Sequence, residues 1–144
     1  MTNLTLLIPA KNEKDSLPVV LEEIKKLDCK IKVILEKDDL ETINSIKGFK
    51  CEIVYQKGRG YGDALILGIN SVDTQFFCIF NADGSFDPKE LDAMKSELVG
   101  TKSNFIFASR YEKNSGSDDD TFVTLIGNYF FSYLCKILFN IKIK

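Results

Sequence analysis

The 144-residue chain contains no histidine. This absence excludes serine–histidine and cysteine–histidine nucleophilic machinery, and it excludes metal sites that need an imidazole ligand. Acid–base or metal chemistry in this protein must therefore depend on carboxylates, amides, hydroxyls or cationic side chains.

Cysteine is scarce and widely spaced. Cys29, Cys51, Cys78 and Cys135 form no C-x-x-C pair, so a zinc site is not expected. Cys51 and Cys78 lie inside apolar runs, where we expect them to be small buried side chains.

Long basic tracts are also missing. Lysine and arginine are mixed with acidic residues and the net charge is −2, so nucleic acid is not an expected partner. The first apolar run, Leu4–Ile8, has only the length of a strand and does not resemble a secretory signal. We therefore expect a cytoplasmic protein.

Short apolar runs alternate with helix-like stretches. Continuous apolar runs are typical of strands that are buried on both faces. The alternation favours an α/β fold with a mostly parallel central sheet flanked by helices. Asp15 and Ser16 are the predicted capping residues of the first helix. The predicted strands are Leu4–Ile8, Ile31–Leu35, Cys51–Tyr55, Phe76–Phe80 and Phe105–Ala108.

Polar clusters follow three of these strands, at residues 11–13, 36–39 and 81–87. The carboxyl ends of parallel strands meet at one edge of a sheet, and ligands bind beyond that edge. We therefore expect a single site that is assembled from several loops.

The cluster after the fourth strand carries Asp83 and Asp87. Their carboxylates are hard oxygen ligands suited to Mg²⁺ or Mn²⁺, and such an ion can bridge the phosphates of a nucleoside diphosphate. The alternative is that both residues only cap a turn and the helix that begins near Pro88.

A glycine-rich stretch, Lys57–Ala64, precedes the third predicted helix. Glycines leave backbone N–H groups accessible, a helix N-terminus attracts anions, and Lys57 and Arg59 add positive charge. The pattern therefore predicts that this stretch binds a diphosphate. The alternative is a plain flexible turn, which has the same composition.

The final segment, residues 121–144, is crowded with apolar and aromatic side chains. It is either a core helix, or a helix that lies on a membrane surface or against a further segment. We predict a domain boundary between residues 120 and 121, and we expect the chain to be part of a longer protein.

Four motifs in sequence order resemble the family 2 inverting glycosyltransferases with a GT-A fold, and most closely their dolichyl- and polyprenyl-phosphate branch. The resemblance covers about residues 4–128. The motifs are Ile8-Pro9-Ala10-Lys11-Asn12-Glu13, Arg59-Gly60-x-Gly62-x-Ala64, Asn81-Ala82-Asp83-Gly84-Ser85-x-Asp87-Pro88 and Ala108-Ser109-Arg110-Tyr111.

The resemblance implies a UDP- or GDP-linked hexose as donor, a divalent metal and roles for matching residues. Asp83 would bind the metal and diphosphate as the surviving acid of an Asp-x-Asp motif, in which Asn81 replaces the first acid and brings no charge. Arg110 would face the acceptor, a polyprenyl phosphate in that branch. The residues expected to line the donor are Pro9, Ala10, Asn12, Glu13, Glu36, Lys57, Arg59, Gly60 and Ala82.

The acceptor loop departs from the family pattern because it carries Asp118 and Asp119. These carboxylates would repel a lipid phosphate, and they could instead supply a general base for a hydroxyl acceptor. The simpler alternative is a solvated loop. An inactive or truncated module that binds a nucleotide sugar is the rival to an active enzyme, and a nucleotidyltransferase is less favoured.

Overall fold

The computed structural model describes residues 3–108 and 122–139. The strands and helices there follow the predicted order closely, with boundaries that differ by a few residues. In chain order they are β1 (Leu4–Pro9), α1 (Ser16–Ile24), β2 (Lys30–Leu35), α2 (Leu40–Ser45), β3 (Glu52–Tyr55), α3 (Tyr61–Asn70), β4 (Phe76–Ile79), α4 (Glu90–Thr101) and α5 (Phe122–Phe139).

The four strands form one sheet in the order β3-β2-β1-β4, and every pair is parallel. β1 is paired on both sides: Ile8 lies opposite Val33 of β2, and Leu7 lies opposite Ile79 of β4. The predicted α/β class with a parallel central sheet is therefore confirmed.

Helices cover both faces of the sheet. Successive side chains of a strand point to opposite faces, so Leu6 and Ile8 pack with Leu17 of α1 on one face. Leu7 packs with Ala64 of α3 on the other face. The apolar run of β1 predicted this arrangement correctly, because all three β1 side chains are fully buried.

The predicted fifth strand is wrong. Residues 105–108 are described but form no strand, and Phe105 and Phe107 are exposed at 71% and 83%. Their rings contact each other, with centroids 5.3 Å apart. An apolar run becomes a strand only where a neighbouring strand satisfies its backbone groups, and no such partner pairs with this run among the described residues.

The chain divides into two compact units, one that ends at Asp92 and one that begins at Ala93. The predicted boundary between residues 120 and 121 lies outside the described residues and stays a prediction.

The predicted terminal helix is present as α5. Its large apolar side chains are mostly exposed where the structure describes them. Within the described residues, no helix combines the length and apolar character needed to cross a bilayer. The exposed side chains are Ile126, Tyr129, Phe130, Phe131, Tyr133, Ile137 and Leu138.

Candidate functional site

The candidate site lies at the carboxyl ends of β1 and β4. The chain order places β2 on one side of β1 and β4 on the other, so the loops that leave β1 and β4 separate and open a crevice at this switch point. A cleft of about 450 Å³ occupies it. Its lining residues are Pro9, Ala10, Lys11, Glu13, Glu36, Gln56, Gly60, Tyr61, Ala64, Asn81, Ala82 and Asp83.

Eight residues predicted for donor or metal binding line this one cleft, although they come from four different loops. The sequence prediction of a single site built at the strand ends agrees with this placement. These eight are Pro9, Ala10, Glu13, Glu36, Gly60, Asn81, Ala82 and Asp83.

The loop between β1 and α1 is tied to the start of α2. The backbone amide of Asn12 donates to Oδ2 of Asp39 at 2.8 Å, and the amide of Glu13 donates to Oγ1 of Thr42 at 3.0 Å. Asn12 has a φ of 58°, in the left-handed region that asparagine tolerates better than most residues. Asn12 thus contributes a backbone contact that fixes the loop, and it is not among the residues lining the cleft.

Glu13 is held at the start of α1. Its Oε2 accepts a short hydrogen bond from the hydroxyl of Ser16, and its carbonyl oxygen accepts from the amide of Leu17 at 3.0 Å. Asp15 occupies the N-cap position but makes no side-chain capping bond. The expected capping role of Asp15 is therefore wrong, because its backbone is already in the right-handed helical region, with φ −96° and ψ −40°.

A salt bridge at the cleft joins Lys11 to Glu36, with Nζ 3.0 Å from Oε1. The Glu36 side chain is 15% exposed, whereas that of Lys11 is 62% exposed. Glu36 therefore presents a largely enclosed carboxylate whose negative charge is balanced by the exposed ammonium group of Lys11. Its oxygens can accept hydrogen bonds from the N–H groups of a ligand.

A second, smaller pocket of about 160 Å³ adjoins the same loops. It shares Glu36 and Gln56 with the larger cleft, and it brings the predicted Arg59 next to them. Lys57 is exposed and lines neither pocket. The lining residues are Glu36, Lys37, Asp38, Gln56, Gly58 and Arg59.

The glycine-rich stretch leads directly into α3. Gly60 is the N-cap with φ 88°, a conformation in which glycine carries no steric cost. Nε2 of Gln56 donates to the carbonyl oxygen of Gly60 at 3.0 Å, and the amide of Gly58 donates to Oδ2 of Asp63 at 3.1 Å. The stretch is therefore cross-linked by side chains, unlike a plain flexible turn.

The turn after β4 places Asn81 and Asp83 in the cleft. Nδ2 of Asn81 donates to Oγ of Ser85 at 3.0 Å, and Oδ1 of Asp83 accepts from the amide of Ser85 at 2.9 Å. Gly84 has φ 79° and permits the tight turn between them.

Asp87 lies outside the residues that line the cleft. Its Oδ1 accepts from the amide of Lys89 at 3.0 Å, and its carbonyl oxygen accepts from the amide of Glu90 at 3.2 Å. These contacts agree with the capping role of Asp87, the alternative to metal binding. The role of Asp87 in metal binding stays a prediction.

The oxygen ligands available at Asn81 and Asp83 suit a hard divalent cation such as Mg²⁺ or Mn²⁺. Among the described residues, no three acidic or cysteine side chains cluster to form a metal cage. Mg²⁺, however, keeps several waters and is commonly bound by one or two carboxylates together with substrate phosphates. One carboxylate and one amide oxygen therefore fit a hard cation that is shared with a bound diphosphate.

Three of the thiols are unsuited to nucleophilic chemistry at neutral pH. Burial, with a smaller contribution from Asp28, raises the pKa of Cys29 to about 11. Burial also raises the pKa of Cys51 and of Cys78. These thiols stay protonated near pH 7, and the thiolate is the reactive form.

Arg110, Asp118 and Asp119 lie outside the described residues, so their acceptor roles stay predictions. Gln56 is a cleft residue that the sequence analysis missed. It directly follows β3, so the rule that polar residues cluster after parallel strands would have found it.

Comparisons of the sequence with known proteins give one family. A family model described as "Glycosyl transferase family 2" matches residues 5–143. Uncharacterized glycosyltransferases of Mycobacterium bovis and of two Mycobacterium tuberculosis strains are each 32% identical to the chain over 95 residues, which cover 65% of this chain and 43% of each relative. The match thus spans less than half the length of these curated relatives.

Proposed function

The chain belongs to glycosyl transferase family 2, and on that premise we propose that its cleft binds a nucleoside diphosphate sugar, UDP- or GDP-linked, and transfers a hexose to an acceptor with inversion. The observation that carries the proposal is the convergence of the predicted donor residues on one cleft at the switch point of the sheet. Ligands of parallel α/β sheets bind at such points.

The base and ribose would lie against Pro9 and Ala10, with Glu36 accepting a hydrogen bond from a base N–H. The diphosphate would lie towards Gly60 and the N-terminus of α3, which has no side-chain cap, and the N–H groups of a helix N-terminus favour an anion. Arg59, at the adjoining pocket, would add a positive charge.

A divalent metal would be held by the Asp83 carboxylate and the amide oxygen of Asn81. When bound, Mg²⁺ or Mn²⁺ neutralises charge on a departing diphosphate. Asp83 would thereby act on the leaving group, while the acceptor attacks the anomeric carbon from the opposite face.

The proposed acceptor is a polyprenyl phosphate or a hydroxyl of a glycan or small molecule. Arg110 would bind an acceptor phosphate, which is already an anion and needs no strong base. A hydroxyl acceptor would need Asp118 or Asp119 as general base. The exposed apolar side chains of α5 support a contact with a membrane surface, and hence a location at the cytoplasmic face of a membrane.

A binding module without turnover is the second candidate. It is favoured by the presence of Asn81 in the lining of the cleft. An acidic residue at this position would bring a negative charge to a metal, and asparagine brings none. Such a module would hold the nucleotide sugar in the same cleft without breaking the sugar–phosphate bond.

The test is donor hydrolysis by the purified chain in the presence of Mn²⁺, with UDP- and GDP-hexoses. Released nucleotide gives the rate. We expect slow release that Asp83→Ala abolishes. Asp73→Ala, which removes an exposed ion pair with Lys30, should leave the rate unchanged. Binding without release would favour the binding module, and equal rates in both variants would refute the role of Asp83.

A further inference from the structure

Gln56 is a buried polar side chain at the end of β3, with only 9% of its surface exposed. Its backbone amide donates to the carbonyl oxygen of Leu35 at 2.8 Å and so extends the strand pairing. Its Nε2 donates to the carbonyl oxygen of Gly60 at 3.0 Å and to Oδ2 of Asp63 at 3.4 Å. The edge of the sheet is thereby connected to the loop and to the first turn of α3.

Asp63 closes the same loop from the helix side. Its Oδ2 accepts from the amide of Gly58 at 3.1 Å as well as from Gln56. A Cβ at Gly58 would lie only 2.6 Å from Oδ1 of Asp63, so a larger residue at position 58 would displace this carboxylate. One oxygen of one carboxylate thus accepts from both Gln56 and Gly58.

The carbonyl oxygen of Gly60 has two donors. It accepts from Nε2 of Gln56 and from the amide of Ala64 at 3.2 Å, the first hydrogen bond of α3. The conformation of Gly60, with φ 88°, is therefore fixed from both sides. Between these fixed points, Lys57 and Arg59 are the exposed cationic side chains of the loop.

We propose that Gln56 and Asp63 are positioning residues that hold the loop of residues 57–60 in the form that binds the diphosphate of the donor. The proposal rests on the function proposed above. Asp63 lines neither pocket, and it acts through the backbone amide of Gly58 and the side chain of Gln56. Gln56 lines both pockets and acts through Gly60.

The direction in which the diphosphate affinity changes in two Asp63 variants distinguishes a positioning role from a purely electrostatic one. Removal of the Asp63 charge lowers the repulsion of a nearby anion, so electrostatics alone predicts that Asp63→Ala and Asp63→Asn both bind a diphosphate more tightly. Positioning predicts that the two variants differ. Both accepted hydrogen bonds go to one oxygen, which the asparagine amide can replace and alanine cannot.

The experiment compares the affinities of UDP, UMP, GDP and GMP for the wild-type chain and the two Asp63 variants at a fixed Mn²⁺ concentration. For the nucleotide pair that the wild type binds, we expect Asp63→Ala to weaken diphosphate binding by about ten- to a hundredfold, the value of one lost hydrogen bond to a charged group. Monophosphate affinity should stay within about twofold, because the proposed contact of the loop is with the second phosphate, which a monophosphate lacks. Asp63→Asn keeps the acceptor oxygen and loses the repelling charge, so it should bind the diphosphate at least as tightly as the wild type.

Equal behaviour of the alanine and asparagine variants would overturn the proposal, and so would an equal loss of monophosphate and diphosphate binding. Gln56→Met keeps the side-chain length but removes both N–H donors, and it must give the same diphosphate-selective loss even if Asp63→Ala does not fold. If Gln56→Met leaves the ratio of diphosphate to monophosphate affinity unchanged, the proposal is contradicted. A folded wild type that binds none of the four nucleotides refutes the proposed function itself.

Discussion

The backbone amide of Asn12 and the carboxylate of Asp39 are joined by a hydrogen bond of 2.8 Å that links the first two strand–helix loops. The other oxygen of the same carboxylate accepts from the amide of Thr42 at 3.3 Å and caps α2. One side chain therefore satisfies a helix terminus and also holds the left-handed Asn12 beside the cleft.

Replacement of Asp39 by alanine should lower the free energy of unfolding by about 1–3 kcal/mol, because a helix cap and a second amide both lose their acceptor. Urea denaturation measures this loss. Asp38→Ala, at the exposed neighbouring position, is the matched control and should change stability by less than about 0.5 kcal/mol. Similar losses in the two variants would show that Asp39 does not link the loops.

The two glycines at positions 58 and 48 should respond oppositely to alanine. Gly58→Ala places a Cβ against the Asp63 side chain, so the carboxylate must move. We expect its weakened hydrogen bonds to cost about 0.5–1.5 kcal/mol of stability and to weaken diphosphate binding. A Cβ at Gly48 meets nothing within 4 Å, so Gly48→Ala should be neutral or slightly stabilising. Thermal denaturation and nucleotide titration report both effects, and a tolerated Gly58→Ala would contradict the close approach to Asp63.

Asn81→Asp should strengthen metal binding. The added carboxylate brings a negative charge to the cleft, and we expect the affinity for Mn²⁺, in the presence of the nucleotide, to rise by about tenfold. The hydroxyl of Ser85, 3.0 Å from Nδ2 of Asn81, can donate to the new carboxylate, so the fold should tolerate the change.

Asn70→Asp, at the exposed end of α3, makes the same chemical change away from the cleft and is the control for Asn81→Asp. Manganese paramagnetic resonance measures the free ion in both variants. Equal Mn²⁺ affinities in the two variants would refute metal binding at Asn81.

The half-buried thiol of Cys29 should make stability depend on alkaline pH. Its pKa is raised from 9.0 to about 11, so the folded state retains the proton that the unfolded state loses. The contribution to stability is complete below pH 9 and is lost as the pH rises towards about 11. The stability of the wild type relative to Cys29→Ala should therefore fall across this range, whereas a constant difference would show that the folded thiol titrates normally.

The sequence predicted the sheet well, because the centres of β1 and β2 are buried on both faces and are rich in apolar residues, although Thr5 and Lys32 interrupt the runs. It failed at Phe105–Ala108, because an apolar run carries no information on whether a partner strand lies beside it. It also missed Gln56, which the rule on polar residues after parallel strands would have found. It missed Asp63 because its contacts depend on how the loop folds back and leave no periodic pattern. The placement of Asp83 in the cleft was predictable, because it follows a buried strand.

The central claim is that the cleft at β1 and β4 binds a nucleoside diphosphate through Asp83. Calorimetric titration of the purified chain with UDP and with GDP, with and without Mn²⁺, tests it most directly. We predict binding of one nucleotide that depends on Mn²⁺ and is lost in Asp83→Ala. No binding of either nucleotide by a folded wild-type sample, or equal binding by the wild type and Asp83→Ala, would contradict the claim.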